Sequence, residues 1–295
     1  MSEHMPSNRP AGRDFVLTVS CPDRVGIVHA VSGAMLQQHL TILDSQQFGD
    51  PVSGEFHLRM HLLREGDTAL DVEALRAAFA PVAEAFSMQW QVHDMARPHR
   101  VLVMVSRMGH CLNDLLFRVR TGQLPIQIPV IVSNHDDFRA LAEWHGVEFH
   151  HIPVTAGTKP EAEARLSALL AECAIDTVVL ARYMQVLSER MCAEMPGRII
   201  NIHHSLLPSF KGAKPYTQAH DRGVKVIGAT AHYVTADLDE GPIIEQDFRR
   251  VNHRMAPGEL ARVGQELEAM ALSRAVRWHA EHRIILRGSR TVVFD

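Results

Sequence analysis

Asn201 and His203 stand two residues apart in the run Ile199-Ile200-Asn201-Ile202-His203-His204-Ser205-Leu206-Leu207-Pro208. Side chains at that spacing on a strand point the same way, so an amide and an imidazole would emerge together at the carboxyl end of an apolar strand. An amide donor beside an imidazole suits the oxyanion that forms when a carbonyl is attacked. Asp239 lies in the loop Asp237-Leu238-Asp239-Glu240, just ahead of the turn at Gly241-Pro242. A carboxylate held near an imidazole can keep it protonated and can take a proton from water. His232 lies in the apolar run Gly228–Val234. Each residue also has a plainer reading: a satisfied polar strand end, a solvated acidic turn, a packed strand histidine.

Such a group needs a sheet to hold it, and the chain around it reads as one. Val101–Val105, Pro129–Val132 and Thr177–Leu180 are continuous apolar runs, separated by helical patterns near Leu112–Val119, Asp136–Trp144 and Pro160–Glu172. Apolar strands alternating with helices imply a parallel sheet covered on both faces, a Rossmann-like α/β domain. Ligands of such sheets sit beyond the carboxyl ends of the strands. Ala181-Arg182-Tyr183-Met184-Gln185-Val186-Leu187 follows one of those runs and so could line a pocket; it also reads as a plain loop with core anchors. A long helix fits Glu259–His279, and short strand-like pieces end at Val292–Phe294.

The N-terminal part follows a different rhythm. Asp14–Ser20 alternates as a strand, and Asp23 is the expected N-cap of a helix with apolar positions Ile27, Val28, Val31, Met35 and Leu36. Strands at Thr41–Phe48 and Glu55–Leu63, a helix through Val72, Leu75, Phe79 and Val82, and a strand at Met88–Val92 complete the order βαββαβ, the ferredoxin-like arrangement. The expected division is a flexible tail at 1–13, a ferredoxin-like domain at 14–94, a linker at 95–99 and an α/β domain at 100–295.

A net charge of −4 over 295 residues offers no broad basic face for nucleic acid or an anionic membrane. No apolar run nears the ~20 residues that span a bilayer, and the polar start lacks a secretory signal. The cysteines at 21, 111, 173 and 192 are dispersed, with no CxxC pair, which suggests a reducing, cytoplasmic setting and not a disulfide scaffold. His203, His204, His232 and Asp239 could together ligate a metal. With 19 histidines in the chain such a cluster arises easily by chance, and no ligand spacing is diagnostic.

Asn-x-His-x-Ser-Leu-Leu-Pro at 201–208, Gly-Ala-x-Pro at 212–215 and Leu-Asp-x-Gly-Pro at 238–242 resemble the folate-dependent formyltransferases and their hydrolase relatives. Within that group the chain is most similar to the formyltetrahydrofolate deformylases. Ser133–Asp136, Phe210–Tyr216, Arg222–Lys225 and Arg290–Phe294 carry that likeness, and Cys21–Val28 resembles an ACT domain. The resemblance implies that the protein hydrolyses 10-formyltetrahydrofolate to formate and tetrahydrofolate, with water as acceptor and no cofactor or metal. It assigns Asp239 as base, His203 and Asn201 as oxyanion donors, and His232 as support. It places the pterin ring against Tyr183, Met184, Gln185, Val186 and Leu187. For the ACT part it implies homo-oligomer formation and a small amino-acid effector at the loop Asp23, Arg24, Val25, Gly26, where a carboxylate could meet the helix start.

Two relatives compete. Glycinamide ribonucleotide transformylases carry a glycine-rich phosphate nest after the first α/β strand; this chain has Ser106-Arg107-Met108-Gly109-His110-Cys111 there, although a free helix start remains. An amino-acid sensor with an inert α/β domain is the other, and the intact Asn201, His203 and Asp239 set speaks against it.

Overall fold

The computed structural model describes residues 12–66, 71–155, 157–208 and 215–295. Positions 1–11 of the expected tail, and 210–214 of the Phe210–Tyr216 motif, lie outside the described residues. The remainder of the tail is not loose: Gly12 and Arg13 begin the first strand, β1 (Gly12–Pro22), where they pair with Glu65 and Arg64.

The chain divides into two compact units between Arg97 and Pro98. In the first, β1 is followed by α1 (Ile27–Gln37), β2 (Thr41–Asp50), β3 (Glu55–Glu65), α2 (Val72–Ala85) and β4 (Gln89–Asp94). The four strands form one antiparallel sheet in the order β2-β3-β1-β4. Alternate residues of β1, Phe15, Leu17 and Val19, share a core with Leu58, Met60 and Leu62 of β3 and with Leu75 and Phe79 of α2, as period-two side-chain alternation requires. Asp71 caps α2 through its carboxylate, which accepts from the Ala74 N–H at 2.6 Å. The expected Asp23 cap of α1 is not formed. Gly26 is the N-cap, at φ 97°, and no side chain caps it. The Asp23 N–H instead bonds the Gly54 carbonyl at 2.9 Å, which sets a turn whose last residue is left-handed, a conformation that costs glycine little.

The second unit begins with β5 (His99–Val105), so His99 belongs to a strand and not to a linker. It continues through α3 (His110–Arg120), β6 (Ile126–Ser133), α4 (Arg139–Trp144), β7 (Glu148–His151), α5 (Lys159–Glu172), β8 (Thr177–Ala181), α6 (Glu189–Glu194), β9 (Ile199–His203), α7 (Pro215–Asp221), β10 (Val226–Tyr233), β11 (Ile243–Arg250), α8 (Pro257–Ala280), β12 (Ile284–Arg287) and β13 (Arg290–Val293). β12 and β13 pair only with each other. The main sheet has the order β11-β10-β9-β8-β5-β6-β7; the five strands from β9 to β7 are parallel, and β10 and β11 are antiparallel.

Successive residues of β5 enter opposite cores. Val101, Val103 and Val105 pack with Leu112, Leu115 and Val276, whereas Leu102 and Met104 pack with Leu166, Leu170 and Val178. Burial on both faces is why these strands read as unbroken apolar runs. From β5 the chain moves outward to β6 and β7, then returns to place β8 on the other side of β5. The strand order reverses there, and a crevice opens beyond the carboxyl ends.

Candidate active site

Asn201 and His203 occupy the last turns of β9's pleat, and the antiparallel register with β10 sets His232 opposite Asn201 and Thr230 opposite His203. The chain leaving β9 is pinned by one buried hydroxyl. Thr230 Oγ1 donates to the Ser205 carbonyl at 2.8 Å and accepts from the Leu207 N–H at 3.0 Å and from Gln246 Nε2 at 3.1 Å. Asp239 arrives from the β10–β11 connection. That loop folds back so tightly that a Cβ at Gly241 would lie 1.7 Å from the Tyr233 carbonyl oxygen; only glycine permits such an approach. The Tyr233 N–H bonds the Pro242 carbonyl at 2.9 Å, and Asp239 itself takes a left-handed φ of 56°. Backbone strain of this kind persists only where the surroundings impose it.

The side chains then meet. His203 Nδ1 lies 3.3 Å from Asp239 Oδ2, and the two side chains are only 6% and 14% exposed. The hydrogen bond from His203 outweighs the cost of burial and, with charge from His203, His232 and His204, holds the Asp239 carboxyl below its usual range. Asp239 is therefore a carboxylate at neutral pH. His203 Nε2 is buried without a hydrogen-bond partner. The His204 ring stacks on that of His203 at 4.8 Å between centroids.

His232 turns out to serve Asn201 more directly than Asp239. Its Nδ1 is 2.9 Å from the Tyr233 carbonyl, which can only accept, so Nδ1 carries the proton. Burial lowers the His232 pKa, against weaker opposing contributions from the Tyr233 carbonyl and Asp239, so the ring is neutral. Its Nε2 is then an acceptor for the Asn201 amide N–H at 3.1 Å. Asp239 Oδ1 lies 3.7 Å from the same Nε2, too far for a hydrogen bond. The arrangement fixes the Asn201 amide with its nitrogen, not its oxygen, toward His232, and leaves that nitrogen a second hydrogen to donate.

Asn201, His203, His232 and Asp239 line a cavity of about 260 Å³, together with all of Tyr183, Met184, Gln185, Val186 and Leu187. The segment is held at both ends. Arg182 and Met184 have φ of 65° and 62°. Beyond Leu187, the buried Glu163 carboxylate accepts from the Ser188 N–H at 2.7 Å and from its hydroxyl. Leu187 is buried in the core, whereas Met184 is 61% exposed and offers an apolar face to the opening. Tyr183 is buried, which with nearby Glu163 pushes its hydroxyl up to about 12. Val234 to Leu238 also line the cavity and were not expected as site residues; their signals were their position between His232 and Asp239 and the place of Leu238 in the Leu-Asp-x-Gly-Pro motif.

In the first unit, Asp23, Arg24, Val25 and Gly26 do lie between β1 and α1. Val25 is fully exposed. The Arg24 guanidinium is engaged by the Ala85 carbonyl and sits 4.3 Å from the Phe86 ring centre, so a ligand carboxylate there would meet the uncapped start of α1.

A formyl transferase family model matches residues 99–276, and an ACT domain model matches residues 15–80. A formyltetrahydrofolate deformylase of Corynebacterium sp. (strain P-1) is 52% identical over 279 residues, covering 94% of this chain and 97% of that protein. The crystal structure of a formyltetrahydrofolate deformylase from Pseudomonas syringae pv. tomato superposes with a TM-score of 0.92 at 47% identity, covering 97% of this chain and 95% of that one. The crystal structure of glycinamide ribonucleotide transformylase 1 from Symbiobacterium toebii matches with a TM-score of 0.65 at 33% identity, covering 69% of this chain and 97% of its own. Because the deformylases match through both units, whereas the transformylase matches only part of the chain, this chain belongs to the formyltetrahydrofolate deformylase family.

Proposed function

We propose that this protein hydrolyses 10-formyltetrahydrofolate to formate and tetrahydrofolate. The carrying observation is that one cavity gathers three complementary groups: an ionised Asp239, the unpartnered Nε2 of His203 and the Asn201 amide held by His232. Asp239 Oδ2 is occupied by His203, which leaves Oδ1 to accept a proton from water. The water oxygen bonds to the formyl carbon, and the carbonyl electrons move onto its oxygen. His203, through Nε2, and the second Asn201 N–H receive that oxyanion. The carbon–nitrogen bond then breaks, and the folate nitrogen takes its proton from His203 or a water. Tyr183 to Leu187 hold the pterin, with Met184 against its face.

Incubating purified protein with 10-formyltetrahydrofolate, with and without glycinamide ribonucleotide, tests this reading. Formate and tetrahydrofolate should appear in equal amounts, and the ribonucleotide should not change the rate. Formylated ribonucleotide forming faster than formate overturns the hydrolase in favour of a transferase.

The same reading takes the reaction to need no metal or other cofactor: both nitrogens of His232 are engaged, by Tyr233 and Asn201, and His203 gives one of its two to Asp239. Formate release undiminished by chelators checks this. It also takes the protein to act in the cytoplasm; no helix among the described residues is long and apolar enough to cross a membrane. Among the described residues the first unit's sheet has β2 and β4 as its edge strands, and sheet edges invite pairing between copies. A homo-oligomer assembled through this unit follows, with a small amino acid as effector near α1. A monomer mass in solution removes the first proposal; full-length protein whose turnover ignores every amino acid removes the second.

A further inference from the structure

A second carboxylate–imidazole group lies where the strand order reverses. α3 starts with His110 just beyond the end of β5, and Arg182 directly follows β8. A helix start facing such a crevice ordinarily receives an anion, because its free N–H groups and dipole favour negative charge. Here the chain brings its own. Glu268, from α8, is 1% exposed. Its Oε2 accepts from His110 Nε2 at 2.8 Å and lies 3.4 Å from Arg182 Nη1, and its Oε1 accepts from the Tyr216 hydroxyl at 2.6 Å. Burial opposes the charge on Glu268, but the His110 hydrogen bond, the Arg182 charge and the Tyr216 hydroxyl outweigh it and hold the carboxyl below its usual range.

The Cys111 thiol is also close, and ligand atoms of His110, Cys111 and Glu268 fall within 4.8 Å of one another. A cation does not suit that group: Arg182 already sits on the same carboxylate oxygen, and burial pushes the Cys111 thiol well up, away from the thiolate a metal needs. Arg182 is the boundary residue. It lines the catalytic cavity on one side and pairs with Glu268 on the other, and its Nε is buried without a partner.

We propose that Glu268 is a specificity-determining residue, a built-in anion that occupies the crevice between His110 and Arg182 and denies it to acceptors bearing a phosphate. This rests on the hydrolase reading and deepens it: water remains the acceptor because the place where a larger, anionic acceptor would anchor is already filled and negatively charged. Like charge brought against a buried carboxylate is repelled strongly, and the two groups that would receive the newcomer, His110 and Arg182, already face Glu268.

The test is calorimetric titration of full-length protein with inorganic phosphate at fixed ionic strength. Glu268→Gln should bind phosphate at least about tenfold more tightly than the unsubstituted protein, since His110 and Arg182 then face a neutral amide. That substitution leaves a buried guanidinium unbalanced and could prevent folding. The double variant Arg182→Met/Glu268→Gln removes both charges and should still gain about threefold from His110 and the helix start. Tyr216→Phe keeps the carboxylate and should bind phosphate no better than the unsubstituted protein. Unchanged phosphate affinity in a folded Glu268→Gln or double variant overturns the proposal. So does a Tyr216→Phe gain equal to that of Glu268→Gln, which would make space and not charge the barrier. Formate release by the unsubstituted protein is measured separately, and its absence sinks the hydrolase reading without deciding the phosphate result.

Discussion

Asp239 with His203 and Glu268 with His110 each pair a carboxylate with an imidazole within one unit, yet they are finished differently. Asp239 accepts from one imidazole and keeps Oδ1 unbonded, His203 keeps Nε2 unbonded, and both open onto a cavity. Glu268 has both oxygens engaged, by His110, Arg182 and Tyr216, and is almost wholly removed from solvent. The pair that retains unused donors and acceptors can exchange protons with a substrate. The saturated one can only hold structure or exclude charge. What separates them is the number of remaining valences, not the strength of the ionic contact.

The comparison can be broken most sharply at the first pair. Asn201→Ala, His203→Ala and Asp239→Ala should each cut turnover about 100- to 1,000-fold, the scale of one lost oxyanion donor or acid–base group, with the thermal midpoint little changed. Near-normal formate release from Asp239→Ala removes it as the base. At the second pair the main loss should be stability. Glu268→Gln is expected to lower the unfolding free energy by about 3 kcal/mol in a denaturant titration, because it strands the Arg182 cation in the interior; a cost of only a few tenths of a kcal/mol would mean the network is not cooperative. A gentler probe is Gly264→Ala, whose new Cβ would fall 2.0 Å from the Tyr216 hydroxyl oxygen. It should cost about 1–3 kcal/mol by pushing Tyr216 off Glu268. An unchanged denaturation midpoint would show that Tyr216 moves aside freely.

Acidification gives the smallest effect and fixes its sign. The folded-state pKa of Glu268 is lowered, so its stabilising contribution is complete above the unfolded glutamate value near ~4.3 and is lost as pH falls through the folded value. The stability gap between the unsubstituted protein and Glu268→Gln should therefore be constant at neutral pH and shrink below about pH 4. A gap that widened on acidification would reverse the assigned direction.

Much of this was readable beforehand where one physical rule dominates. β5, β6 and β8 announce themselves because strands buried on both faces must be apolar throughout. β7, Glu148–His151, at the edge of the sheet, has one apolar residue in four and none that is buried, so it gave no such signal. Asp23 has the chemistry of a cap, but the turn to Gly54 draws its backbone elsewhere and Gly26 takes the position. His232 was expected to serve Asp239; the register of β9 against β10 sets it opposite Asn201. Glu268 reads as an ordinary helix charge, since nothing within α8 foretells that His110, Arg182 and Tyr216 will converge on it.

By itself the sequence determined the two-part organisation, the strand that carries Asn201 and His203 on one face, and the carboxylate waiting in a turn. These follow from short-range periodicity and from residue chemistry, which act over a few neighbours. Only the tertiary structure decided that His203 keeps Nε2 unbonded while both nitrogens of His232 are engaged, that Asp239 is pressed against His203 by the close approach of Gly241 to Tyr233, and that one buried glutamate is saturated while another acid is not. Those outcomes depend on register, on loop closure and on desolvation by elements far apart in the chain, and an ionisable group's state is set by what surrounds it in space and not by its neighbours in sequence.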